Sequence, residues 1–382
     1  MLLCVTASAA GAVGRFLVTN NDVPVPNPPT GYAGNTVTFY SIGAHGVLGD
    51  KTVVATGGAG IGGGFFASSR VAIVPQGDDV CVFAADANTA DIAGMSAATH
   101  SVTGNFIAST TDSGIGNGIG LAANAKYLYA TFSSSSTIAT FRIQSGCTLH
   151  FVGDIFTTGL NGGLVGGMAI HWPIMIITYG DGSIESFNIH GGAPVSNGDA
   201  QNSTGSARDD LPNAVVITTD GHYAIFGDAS TVTTVEVSDI SSGLLTPTVA
   251  YHLGNSWNSG AVRLSPNEEL IFVSNSSGGE VTAAFFDGTT GRITPGCSSG
   301  PLNGFYSAWS YAGGVALQLP AGSGGLLYVP EFGSGGFSSI GVVQLASSGT
   351  ACTLTEAAGS PILDNSDPAE LLSIAIYPAA PL

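Results

Sequence analysis

Seven copies of a six-residue pattern run through this chain, and they constrain its fold more than any other feature. The pattern reads apolar, small or polar, small or polar, large apolar, polar, apolar. It appears as VTFYSI (Val37–Ile42), IATFRI (Ile138–Ile143), IESFNI (Ile184–Ile189), VTTVEV (Val232–Val237) and IGVVQL (Ile340–Leu345), with looser copies from Ile92 and Val281. The starts lie about 46 to 59 residues apart. A period in this range fits propeller blades, in which each unit is a small sheet that buries its faces only against its neighbours.

The flanks of the pattern repeat as well. A β-rich run precedes each copy: FLVTN from Phe16, VCVFA from Val80, LYATF from Leu128, IITYG from Ile176, AIFGD from Ala224, IFVSN from Ile271 and LYVPE from Leu327. A turn and a Leu-like residue follow most copies, and a further strand precedes the β-rich run, as in RVAIVPQGDD from Arg70. Each unit is therefore expected to hold four strands, here named a to d in chain order.

The count of strand a is short by one at the beginning. The first unit shows b, c and d from Phe16 onward, and its matching strand a is SIAIYP at Ser373–Pro378. A ring has no first blade, so three strands from one end of the chain and one from the other can complete blade one. Closure of this kind removes exposed strand edges that would otherwise invite aggregation. The expectation is an all-β, single seven-bladed propeller over 16–382, preceded by an extension or signal remnant over 1–15.

Composition supports strands over helices: 56 Gly residues with abundant Val, Ile, Thr, Ser and Phe suit short strands and tight turns. Eight Lys and Arg stand against 26 Asp and Glu, a net charge of -18, which argues against a nucleic-acid partner. No run has the roughly 20 apolar residues of a membrane span. The five cysteines, Cys4, Cys81, Cys147, Cys297 and Cys352, show no metal spacing and read as isolated thiols or one disulfide at most. No cofactor or metal motif is present. Sequon matches at Asn202 and Asn275 are short enough to arise by chance; scarce Lys and an acidic Ser/Gly-rich composition point to a secreted or periplasmic protein.

FLVTNN at Phe16, NTVTFYSI at Asn35 and CTLTEAAGSP at Cys352 resemble the repeats of the lactonase-like seven-bladed β-propellers, which include 6-phosphogluconolactonases and 3-carboxymuconate-cyclising enzymes. The resemblance covers nearly the whole chain and speaks for the fold; the repeat describes blades and not catalysis. It implies opening or closing of a lactone or a related acid. A phosphosugar lactone is disfavoured, because its phosphate needs cationic or N–H partners and this chain has few cations.

In a propeller the b–c and d–a connections share one face, where loops vary without disturbing the blades. Several residues there are candidates for chemistry. The b strands close on Asn20, Ala84, Phe132, Tyr179, Asp228, Asn275 and Glu331, so blades five, six, seven and one set polar groups side by side. Asp228 and Glu331 are candidate acid/base groups, with His171 the best-placed imidazole. Capping of turns is the plainer role for such side chains. Arg70 and Arg263, two of six Arg, sit in or beside innermost strands and could hold a substrate carboxylate, or seal the channel by pairing with acids. The Gly-rich run GGAGIGGG at 57–64 lacks the Lys-Ser/Thr of a phosphate loop and reads as a close-packed turn. Trp257, Tyr306 and Trp309 could stack on sugar rings or cover core under long loops. Two functions follow: a secreted lactonase-like enzyme acting on a non-phosphorylated small molecule, or a non-catalytic propeller that binds a glycan or a protein.

Overall fold

A computed structural model describes residues 13–24, 34–61, 69–107, 118–190, 192–202, 212–229, 233–254, 259–275, 279–303, 315–318, 325–332, 337–368 and 373–377. Its strands form seven antiparallel sheets in the order the repeat predicts. Blade two is typical, with strand a at Val71–Gln76, b at Asp79–Asp86, c at Asp91–Ser96 and d at Ser101–Ile107. Blades three, five and six follow the same plan, with their innermost strands at Ile119–Ala123, Pro212–Ile217 and Ser259–Leu264.

Blade one is the composite. Its strands b, c and d are Phe16–Asn20, Thr36–Ile42 and Leu48–Ala55, and its innermost strand is Ser373–Tyr377. The register is continuous, from Phe16 opposite Tyr377 to Asn20 opposite Ser373. The innermost strand of every blade touches that of the next, and Ser373–Tyr377 touches those of both blade two and blade seven, which closes the ring.

Two blades depart from four full strands. Blade four (a Val165–His171, b Ile174–Tyr179, c Ser183–Asn188) has its outer strand broken into Val195–Ser196 and Gln201–Asn202. Blade seven (a Val315–Gln318, b Gly325–Phe332, c Phe337–Ser348) pairs its long third strand with Ala351–Glu356 and then with Ile362–Pro368.

The period of two along each strand explains the packing, because successive side chains point to opposite sheet faces. Leu17 packs towards blade seven with Tyr328, Ile340 and Ile376. Its neighbour Val18 packs towards blade two with Val82 and Met95. Seven hydrophobic clusters result, one at each blade interface.

Two disulfides bridge neighbouring blades, Cys81–Cys147 between two and three and Cys297–Cys352 between six and seven. The expectation of one bridge at most is corrected: the partners are 66 and 55 residues apart, but blade packing sets strand b of blade two against the c–d turn of blade three, and the outer strands of blades six and seven against each other. Bridges of this kind form and persist in oxidising compartments. Among the described residues no helix is long and apolar enough to cross a membrane.

Candidate functional site

Strand a runs from the face of the b–c and d–a connections, here the upper face, to the a–b turn on the lower face. Arg70 immediately precedes strand a of blade two, at the upper end of the channel. It is 3% exposed, and its guanidinium donates to the carboxylate of Asp22, which is fully buried in the b–c connection of blade one. The Arg70 backbone N–H donates to Ser373 Oγ at 2.9 Å, so the residue also touches the ring-closing strand.

A polar network surrounds this pair. Asn20 donates to the carbonyls of Arg70 and Ala85, both at 2.9 Å. Asn35 donates to Asn20 Oδ1 at 2.8 Å and to Asp86 Oδ1 at 2.7 Å, and Thr56 Oγ1 donates to the same Asp86 oxygen at 2.9 Å. Asp86 Oδ2 is buried without a partner. Burial, with the nearby charges of Asp91 and Asp22, pushes the Asp86 carboxyl up to about 8, against the opposing hydrogen bonds from Asn35 and Thr56. Asp86 is therefore a neutral acid near pH 7.

The Gly-rich run makes this closeness possible. A Cβ on Gly58 would stand 2.5 Å from Asp86 Oδ2, and one on Gly60 would stand 2.2 Å from the Asp22 carbonyl carbon. The Gly60 N–H donates to Val23 O at 2.7 Å, and the described part of the run, through Ile61, is a close-packed turn.

Arg263 belongs to strand a of blade six. Its Nη1 donates to the Val262 carbonyl at 2.9 Å, and Nη2 reaches Ser69 Oγ in the connection entering blade two, at 3.5 Å. The side chain therefore crosses the channel. It is half-buried and has no carboxylate partner among the described residues. Burial pulls its guanidinium below the ordinary arginine value. Its stem lines a small void between blades six and seven with Phe272, Leu327 and Val329.

Glu331 lies two residues beyond Val329 in strand b of blade seven, on the same sheet face. It is 2% exposed; Ser339 Oγ donates to Oε2 at 3.2 Å, while Oε1 is buried without a partner. Burial and then the charge of Glu356 push its carboxyl up to about 7.

His171 is elsewhere. It ends strand a of blade four at the a–b turn, and its Nε2 lies 2.8 Å from the Thr219 carbonyl. Glu331 and the backbone of Asp228 lie at upper ends of b strands, a strand's length of roughly 20 Å from the lower face. The structure thus sets the Arg263 guanidinium against Ser69, the residue before Arg70, places Arg263 and Glu331 at one blade interface, and leaves His171 apart. The side chain of Asp228, and Trp257, Tyr306 and Trp309, lie outside the described residues.

One sequence alignment is corrected. Strand b of blade two does not close on Ala84; it continues to Asp86, which pairs with Asp91. Blade two therefore presents a buried acid where an apolar residue was expected. Counting forward one residue from the strand partner of Ile92 would have found it, since Ile92 pairs with Ala85. Among the described residues no group of three or more His, Cys, Asp or Glu could hold a metal ion.

Solved structures share this architecture. A provisionally assigned 6-phosphogluconolactonase from Bacteroides fragilis superposes with a TM-score of 0.67 at 16% identity, covering 96% of this chain and 99% of that one. A second, from Bacteroides uniformis, gives 0.68 at 13% identity over 95% and 99%. The fold is that of the lactonase-like seven-bladed propellers. The periplasmic gluconolactonase of Pseudomonas aeruginosa aligns with a TM-score of 0.58 at 14% identity, over 74% of this chain and 82% of that one. No protein-family model matches the chain, and no curated protein matches it in sequence. Identities this low carry the fold and not the activity.

Proposed function

We propose that this lactonase-like propeller works outside the cytoplasm and receives a non-phosphorylated lactone, or the related carboxylic acid, in its channel. The observation that carries this reading is Arg263, a half-buried cation that crosses the channel without an acid to neutralise it among the described residues. A buried charge is costly unless paired, and a ligand carboxylate or polarised ring carbonyl supplies the missing partner. Arg70, by contrast, is closed off by Asp22 and serves the scaffold. One available guanidinium suits a carboxylate better than a phosphate dianion. The two disulfides support an oxidising location.

Opening a lactone requires a group that polarises the carbonyl and one that exchanges a proton. In this reading Arg263 does the first, and Glu331, at the same blade interface and raised to about 7, does the second. The near-complete burial of Glu331 favours a second reading, a propeller that binds a carboxylate-bearing glycan or protein without turnover.

A panel of aliphatic and sugar lactones, assayed for hydrolysis and for binding, separates the two. Turnover that falls at least 100-fold in both Arg263→Ala and Glu331→Gln supports the enzyme. Binding of the hydroxy acids lost only in Arg263→Ala, with no turnover of any lactone, supports the binding propeller. Ligand binding unchanged in Arg263→Ala removes the channel site altogether.

A further inference from the structure

The lower, outer part of the interface between blades three and four gathers features that the channel reading does not use. Arg142, in strand c of blade three (Thr137–Gln144), stands directly opposite Tyr127 of strand b and His150 of strand d. Residues opposite one another in an antiparallel sheet share a face, so the three form a row across the blade. Arg142 and His150 are exposed, while Tyr127 is buried at the inner end of the row. Lys126 extends the row: its Nζ lies over the Tyr127 ring at 5.3 Å, and its carbonyl accepts the Ile143 N–H at 2.9 Å.

Blade four meets this row with an aromatic edge. A Cβ on Gly192 would stand 2.7 Å from the Tyr127 ring, so the turn carrying His190 lies against it. His190 in turn packs edge-on against Trp172, with ring centroids 5.4 Å apart. Trp172 is 50% exposed, an unusual position for the largest apolar side chain. The outer strand of blade four is only two dipeptides, Val195–Ser196 and Gln201–Asn202, so no full strand extends alongside this row.

The charge distribution makes the row informative. Only 8 of 382 residues are Lys or Arg, in a chain of net charge -18, and two of them, Lys126 and Arg142, flank one Tyr with His150 beside them. No ion pair to a carboxylate involves either cation among the described residues. An exposed indole supplies a flat apolar face of the kind that stacks on a sugar ring, and the adjacent cations and imidazole N–H groups supply partners for carboxylates.

We propose that this lower surface of blades three and four is a second binding site, separate from the channel, for an acidic polysaccharide of the uronate type. Trp172 stacks on a sugar face, Arg142 and Lys126 hold uronate carboxylates, and His150 and His190 donate hydrogen bonds at the edges. A polymer fits better than a monosaccharide, because the groups run along the blade edge and do not line a closed cavity.

Polygalacturonate is the probe, with neutral dextran and vesicles of anionic phospholipid as comparators, in low salt by calorimetry or light scattering. The expected result is saturable binding of polygalacturonate, weakened at least tenfold in the Lys126→Gln, Arg142→Gln double variant and at least fivefold in Trp172→Ala. Arg263→Ala leaves it unchanged, which distinguishes this surface from the channel. No binding of polygalacturonate overturns the proposal. So does binding that the double variant leaves intact, or binding of the lipid vesicles alone. Thermal unfolding of each variant, expected within about 2 °C of the parent for these surface changes, verifies that a loss of binding is not a loss of fold.

Discussion

Asn35 donates to Asp86 at 2.7 Å, and this bond joins the residue before strand c of blade one to the last residue of strand b of blade two. It is made to a carboxyl that stays protonated near neutrality, because burial outweighs the hydrogen bonds it accepts.

Stability should therefore fall as pH rises. Asp86 is raised from 3.8 to about 8 in the folded chain, and Glu331 from 4.5 to about 7. Both groups hold protons in the folded state that the unfolded chain has already released. Their contribution is complete below about pH 4, declines through the window from 4 to 8, and levels off above it. The lowered carboxylates Asp181, Asp220, Asp239 and Asp287 act in the opposite sense only below about pH 4, where they take up protons. The urea midpoint is expected to decrease from pH 4.5 to pH 8. Asp86→Asn keeps the oxygen that accepts from Asn35 and Thr56 and removes the ionisation, so it should flatten the decline and be more stable than the parent at pH 8. A parent midpoint that rises over this range contradicts the assignment.

The Asp22–Arg70 pair supplies a different test. Both side chains are buried, and Asp22 holds a left-handed backbone at φ 54 that Asn also tolerates. Asp22→Asn therefore preserves the turn and removes the carboxylate from a buried ion pair, with a cost of about 3–5 kcal/mol expected from broken buried pairs. Adding Arg70→Met should recover a large part of that loss, since an apolar residue of similar length needs no counter-charge. Equilibrium unfolding of the two variants measures this. Equal stability of the single and double variants would show that the pair is not what holds these residues.

The blades were legible in the sequence because each buries both faces, which forces the same apolar spacing on every copy. Ring closure was legible for the same reason: Ile374 and Ile376 carry the spacing of a strand a at the far end of the chain. The network around Asp86 was not. Its members, Asn20, Asp22, Asn35, Thr56 and Asp86, come from two blades and from connections of unequal length, and no periodicity marks them. The disulfides were hidden similarly, because their partners lie in different parts of neighbouring repeats and not at a short spacing. His171 looked well placed only because position along a strand, upper or lower, is not visible without counting strand directions.

Burial separates the two disulfides. Cys81 and Cys147 are fully buried, whereas Cys297 and Cys352 are partly exposed near the outer edges of blades six and seven. Thiol exchange needs access to a sulfur. Dithiothreitol under native conditions should open Cys297–Cys352 first, read by alkylation and mass spectrometry, with Cys81–Cys147 reduced only on unfolding. Replacing Cys297 and Cys352 together by Ser should lower stability by about 2–5 kcal/mol. Preferential reduction of the buried pair would mean that blades two and three open more readily than this packing allows.

The last strand gives the sharpest test of the ring. Ile374 and Ile376 are buried against Leu17, Tyr328 and Ile340, so the strand joins the interface of blades seven and one, and Ser373 Oγ receives the Arg70 N–H from blade two. Removing one buried methylene cluster, as in Ile376→Ala, should cost about 2–5 kcal/mol. Deleting residues 369–382 goes further: it exposes the edge of Phe16–Asn20 and breaks contacts with both neighbouring blades at once. The truncated protein is expected to lose its cooperative unfolding transition and to associate, measured by calorimetry and sedimentation. A synthetic peptide spanning 369–382, added in excess, should pair with the vacant edge and restore the monomer. A truncated protein that remains monomeric with an unchanged transition would show that the ring is held shut elsewhere.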